Sequence, residues 1–158
     1  MSFRAPVVVI GIGSDFRHDD GFGPAAIHAL EKSELAAVDD VELMVLDGEA
    51  TRLIEAWRDR RLAIVIDAVV ADSPAGTVHR IDVGSSNFPS ARHPSSSHRV
   101  DLPEAVELAV ALEVAMPDLV LFGVEPADMS LGPGLSLAVS ASLDVVIQEV
   151  IICATAQP

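Results

Sequence analysis

Short apolar runs alternate with helical periods along most of this chain. Val7–Ile12, Val41–Leu46, Leu62–Asp67, Thr77–Asp82 and Leu119–Val124 are strand-length blocks, mostly Val, Ile and Leu. Continuous apolar runs of that length suit strands covered on both faces. Between them, Pro24–Lys32, Thr51–Asp59, Leu102–Ala115 and Leu135–Ile152 carry helical spacing. Leu102, Ala105, Val106, Ala109 and Leu112 form an i, i+3, i+4, i+7 stripe in the third of these. Asp101 with Glu104 resembles a capping box, Pro103 is acceptable in a first turn, and Pro117 closes the segment. In the fourth, Leu135, Val139, Leu143, Val146, Ile147 and Val150 share one side, after the breaker Gly132-Pro133-Gly134.

Strand–helix alternation predicts an α/β fold: a single-domain three-layer sandwich over residues 1–158, with a mostly parallel five-stranded sheet and helices on both faces. One step breaks the alternation. Asp72-Ser73-Pro74-Ala75-Gly76 is a turn too short for a crossover helix, so the strand after it is expected to run antiparallel at or near an edge. Gly84 to His98 is a polar, serine-rich loop, long enough to suggest function or mobility.

Composition narrows the classes of partner. Half the residues are apolar and mean hydropathy is +0.41. Even so, runs such as Leu119–Val124 and Val145–Ile152 fall short of the roughly 18–20 residues of a spanning helix. No signal-peptide pattern precedes the first strand, and a cytoplasmic location is expected. The formal net charge of −14 argues against nucleic-acid and anionic-membrane partners. Cys153, the single cysteine, sits in an apolar helical context where an inert thiol is the default.

The chemistry concentrates in Gly11-Ile12-Gly13-Ser14-Asp15-Phe16-Arg17-His18-Asp19-Asp20-Gly21-Phe22-Gly23, between the first strand and first helix. Glycine-rich turns there usually receive phosphate. Asp19 and Asp20 would repel a phosphate and attract a cation. Ligands of open α/β sheets bind beyond the carboxyl ends of strands. Asp20 follows the first strand, Asp67 closes Leu62-Ala63-Ile64-Val65-Ile66-Asp67, and His98 ends the serine-rich loop. Two carboxylates and an imidazole could give an open site for a borderline divalent metal such as nickel or zinc. Each also has a structural reading: a first-turn carboxylate, a strand-end turn residue and a solvated loop histidine. His18, His28, His79 and His93 show no paired spacing and are expected at the surface or an edge. Dinucleotide, P-loop, nucleophile-elbow and zinc-protease motifs are incomplete or missing.

The ordered segments also resemble a family. Val9-Ile10-Gly11-Ile12-Gly13-Ser14 with Asp19-Asp20-Gly21-Phe22-Gly23, then Leu46-Asp47-Gly48, Ala63-Ile64-Val65-Ile66-Asp67-Ala68, and Phe122-Gly123-Val124-Glu125-Pro126 with Leu131-Gly132-Pro133-Gly134-Leu135-Ser136 are similar to the hydrogenase maturation endopeptidases. The resemblance implies an endopeptidase that removes the C-terminal extension of a nickel–iron hydrogenase large-subunit precursor, with the inserted nickel as recognition signal. By position it implies Asp20, Asp67 and His98 as metal contacts, Asp20 and Asp67 as catalytic, and Asp19, Gly48 and Glu49 as substrate-binding. Nickel would come with the substrate, and zinc or cadmium could substitute. Three departures stand out: Ser14 in place of a usual asparagine, Asp20 where some relatives have glutamate, and Asp47-Gly48-Glu49-Ala50-Thr51-Arg52 where a glycine-richer turn is common. The Glu49 turn leaves room for a non-hydrolytic binding or regulatory module. A small-molecule metallohydrolase on the same fold is the other alternative.

Overall fold

The structure, a computed structural model, describes residues 4–83 and 102–158. Five strands, β1 (Val7–Ile12), β2 (Val41–Leu46), β3 (Leu62–Ala68), β4 (Val78–Val83) and β5 (Asp118–Val124), form one sheet in the order β2-β1-β3-β5-β4. β2, β1, β3 and β5 are parallel, and β4 pairs antiparallel with β5 at the edge. The short turn expected to reverse the chain does so: Asp72 and Gly76 both take positive φ within it. β4 pairs with β5 and not with β3, because β5 inserts between them.

Four helices cover the sheet. α1 (Phe22–Glu31) and α4 (Leu137–Thr155) lie on one face, where Ile27, Leu30, Val139, Val146 and Val150 pack with Val7, Val9, Ile64, Ile66 and Phe122. On the other face α2 (Ala50–Trp57) and α3 (Leu102–Ala111) bury Leu53, Trp57, Ala105 and Ala109 against Val8, Ile10, Val65 and Leu121. Alternate residues of β1, β3 and β5 therefore enter opposite cores. This is why those strands read as unbroken apolar runs.

Two expectations need correction. The third helix ends at Ala111, short of Ala115, because Glu113 adopts φ +55 and Val114 N–H bonds back to the Ala109 carbonyl. Leu112, the last member of the expected stripe, is consequently 60% exposed. α4 reaches 19 residues and is long and apolar enough to cross a membrane by length and composition, beyond what uninterrupted runs suggested. Its Val139, Val146, Val150 and Ala154 are buried in the sheet core, while Asp144 and Glu149 point outward. The helix thus packs as one cover of the sandwich.

Candidate functional site

The strand order reverses direction at β1. From β1 the chain crosses over one face to β2, then over the other face through α2 to β3 on β1's opposite side. A crevice opens beyond the carboxyl ends of strands at such a point. Both carboxylates singled out from sequence arrive there.

Asp20 sits in a single 3-10 turn, His18–Gly21, that joins β1 to α1 and packs against β3. It is 5% exposed. Gly13 makes this placement possible. Its φ is +142, and a β-carbon there would overlap the Asp20 carbonyl and come within 3.3 Å of Asp20 Oδ1. Gly11 and Gly23 hold the two ends of the turn together: a β-carbon on Gly11 would lie 2.6 Å from the Gly23 carbonyl carbon, and one on Gly23 would lie 2.8 Å from the Ile66 carbonyl oxygen. The glycines thus press the turn onto β1 and β3 by direct backbone contact. Asp67, half-buried, stands near the end of β3, paired with Gly123 of β5, and its Oδ1 accepts the Ala68 N–H at 2.8 Å.

Asp19, which the resemblance implied as substrate-binding, makes its hydrogen bonds within the chain. It is fully buried, and its carboxylate bonds the segment between β5 and α4. Oδ2 accepts the N–H groups of Ala127 (2.8 Å) and Asp128 (2.9 Å) and the Ser136 hydroxyl (2.9 Å), and Oδ1 accepts the Ser136 N–H (2.7 Å). Burial pushes this carboxyl up, but the bonds from Ser136, Asp128 and Ala127 outweigh it and hold the group below the ordinary aspartate range. Backbone bonds extend the clasp: Asp19 N–H to the Asp128 carbonyl, His18 N–H to Gly132, and Gly132 N–H to Phe16. Phe16 and Leu131 are left 77% and 82% exposed on the two strands of this clasp.

Gly48 and Glu49 occupy the turn after β2, which meets β1 through a Gly13 N–H to Leu46 carbonyl bond of 3.2 Å. Gly48 is buried with φ +88. The Glu49 side chain folds onto the start of α2, where Oε1 accepts the Thr51 N–H and Oε2 the Arg52 N–H, each at 3.1 Å, and Oε2 also accepts the Thr51 hydroxyl at 2.5 Å. Those bonds, led by the Thr51 hydroxyl, lower its carboxyl below the usual range. Glu49 is therefore a helix cap, and its charge is spent on backbone donors.

His98 and His93 lie outside the described residues, as do Asp101 and the Gly84–Ser97 loop. Among the described residues no group of three or more His, Cys, Asp and Glu side chains could hold a metal ion. Asp20 and Asp67 are accordingly the described part of the expected donor set. Two other histidines, His18 in the turn before α1 and His79 on the edge strand β4, have defined neighbours. His18 takes φ +43, and its Nδ1 lies 3.1 Å from the Gly134 carbonyl. His79 Nε2 is buried 3.9 Å from Glu125, itself only 5% exposed. Cys153 is half-buried and burial raises its thiol, in keeping with an inert role.

A family model described as hydrogenase maturation protease (HycI) matches residues 25–152. The chain belongs to the hydrogenase maturation protease family. It is 28% identical to a putative hydrogenase maturation protease of Methanocaldococcus jannaschii, over 94% of this chain and 96% of that one. It is 27% identical to the hydrogenase expression/formation protein HupD of Thiocapsa roseopersicina over 148 residues, which is 90% of this chain but 66% of that relative, just under two thirds of its length. A coenzyme F420 hydrogenase subunit delta of Methanothermobacter thermautotrophicus is 24% identical over 98% of its length. Among solved structures, the hydrogenase maturating endopeptidase HybD of Escherichia coli superimposes with a TM-score of 0.74 at 21% identity, covering 96% of this chain and 91% of that one. At that identity the likeness establishes the fold.

Proposed function

We propose that this maturation-protease family member is an endopeptidase that removes the C-terminal extension of a nickel–iron hydrogenase large-subunit precursor once nickel has been inserted. The observation that supports the proposal is the placement of Asp20 in the turn after β1 and of Asp67 near the carboxyl end of the neighbouring β3, where the strand order reverses. Hard oxygen donors on two separate elements suit a divalent cation presented by a partner. Asp20, Asp67 and His98 dock the precursor's nickel, and the metal's charge polarises the adjacent peptide carbonyl. One of the two carboxylates takes the proton of the attacking water as general base. Asp19 supports this chemistry indirectly, by fixing the turn that carries Asp20.

Purified protein given nickel-loaded and nickel-free precursor should cleave only the first. Equal cleavage of both removes nickel as the recognition signal. Asp67→Ala and His98→Ala should abolish processing with the thermal melt nearly unchanged. A large loss of stability in both would favour the structural reading of these residues.

A second reading follows from the F420 hydrogenase subunit delta, a full-length match whose name carries no peptidase activity. In it, the chain binds the nickel-bearing precursor without cutting it. Stable co-elution of uncut, nickel-loaded precursor with the wild-type chain would support that reading over the first.

A further inference from the structure

β2 lies at the edge of the sheet, and the direction of its backbone can be worked out. Val7 N–H bonds to the Asp40 carbonyl and Gly13 N–H to that of Leu46. In a parallel ladder this sends the backbone groups of Asp40, Glu42, Met44 and Leu46 toward β1. Leu43 and Val45 then present their N–H and C=O groups outward. Among the described residues, neither has a backbone partner on that side. Such an edge is a template for one more strand.

Beside it runs an open groove of about 840 Å³ between β2 and α2. Met44, Leu46 and Ala56 give it an apolar floor. Its upper end, at Thr51 and Arg52, adjoins the turn that bonds to Gly13 beside Asp20. Its lower end is at Arg4 and Ala5, just before β1. Six residues of β2 span roughly 20 Å between those ends.

The charge of the groove differs from that of the whole chain. Arg4, Arg52 and Arg60 balance Asp39, Glu42 and Glu55 along it, whereas the chain as a whole carries −14. A segment ending in a free carboxylate meets less repulsion here than over a surface with the average charge.

Building on the peptidase reading above, we propose that this edge and groove seat the precursor's C-terminal extension as an added strand antiparallel to β2. The extension lies C-terminal to the bond to be cut. It must therefore lead away from the Asp20 rim, down β2, and bring its terminal carboxylate toward Arg4. Outward N–H and C=O groups of Leu43 and Val45 supply sequence-independent bonds, and the apolar floor takes alternate side chains. The opposite edge, β4, runs antiparallel to the other strands and is separated from β1 by β3 and β5, so it offers no such path from Asp20.

Amide exchange of the full chain tests this, with and without nickel-loaded precursor and with a synthetic peptide of the extension as free acid or C-terminal amide. Exchange at Leu43 and Val45 should slow with precursor and with the free acid, and the amide should bind more weakly. Val45→Pro removes one outward donor at a side chain already 41% exposed. It should keep the fold and weaken binding roughly fivefold, the loss of one backbone bond. Should that variant fail to fold, wild-type exchange still decides. Unprotected edge amides, or equal binding of acid and amide, overturn the proposal. Protection that grows with protein concentration in the absence of precursor assigns the edge to a second copy and also overturns it. Cleavage scored in the same samples separates the two readings. Cleavage with unprotected edge amides sinks the docking alone, whereas protection without cleavage sinks the peptidase reading alone.

Discussion

Two adjacent aspartates share one turn, and the structure accounts fully for the carboxylate of Asp19. Asp20 lies buried in the turn after β1, while Asp19 forms the clasp with Ala127, Asp128 and Ser136. Asp19→Asn keeps the size but sets an NH2 against backbone donors, at a cost of about 2–4 kcal/mol in a urea titration at neutral pH. The lowered carboxyl fixes the sign of the pH dependence. The stabilisation is complete above the ordinary aspartate value and is lost as pH falls through the folded one. The gap between wild type and Asp19→Asn should therefore narrow as acid is added, and a gap that widens would show the bonds are not charge-assisted. From the sequence, the Asp-Asp pair suggested a cation or acid–base site with Asp20 as its candidate, and nothing in it showed the bonds that hold Asp19. The partner segment lies more than a hundred positions away, and Gly132-Pro133-Gly134 read as a breaker and as part of a family segment, with no sign of a contact to Asp19.

Strands were legible to within a residue or so: β1, β3 and β5 are compact apolar runs, whereas the edge strands β2 and β4 mix polar and apolar positions. Helix ends were less so. α3 stops early through the left-handed Glu113, a conformation no apolar period encodes. At α2, Glu49 looked like a departure in a substrate turn, yet its carboxylate caps the helix. Glu49→Gln should keep part of that cap and Glu49→Ala should lose it, so the melting temperature should fall in the order wild type, Gln, Ala. Precursor cleavage measured below those temperatures should change little. A large cleavage defect in a fully folded Glu49→Ala would return this residue to the substrate site. Gly11 and Gly23 were noticed as a glycine-rich turn, whereas their use is close backbone contact between β1, β3 and α1. Gly11→Ala should cost about 1–3 kcal/mol or more, since backbone and the Ile27 side chain both obstruct the added methyl.

At the scale of the molecule, strand order decides where chemistry can happen, and charge decides under what conditions the fold is comfortable. A formal charge of −14 on 158 residues produces self-repulsion that added salt screens. Raising sodium chloride should raise the melting temperature, and a fall would mean that attractive pairs such as Arg60–Glu42 dominate instead. The alternation of runs made the layered fold readable, and the turn at residues 72–76 gave away the antiparallel edge. The groove beside β2 was not readable, since it arises from the distance between a strand edge and a helix. The clasp also sets an order of events during synthesis. All four donors to Asp19 come from residues 127–136. A nascent polypeptide whose ribosome has not yet delivered Ser136 cannot lock the turn that carries Asp20, so that turn settles only after the segment following β5 has emerged.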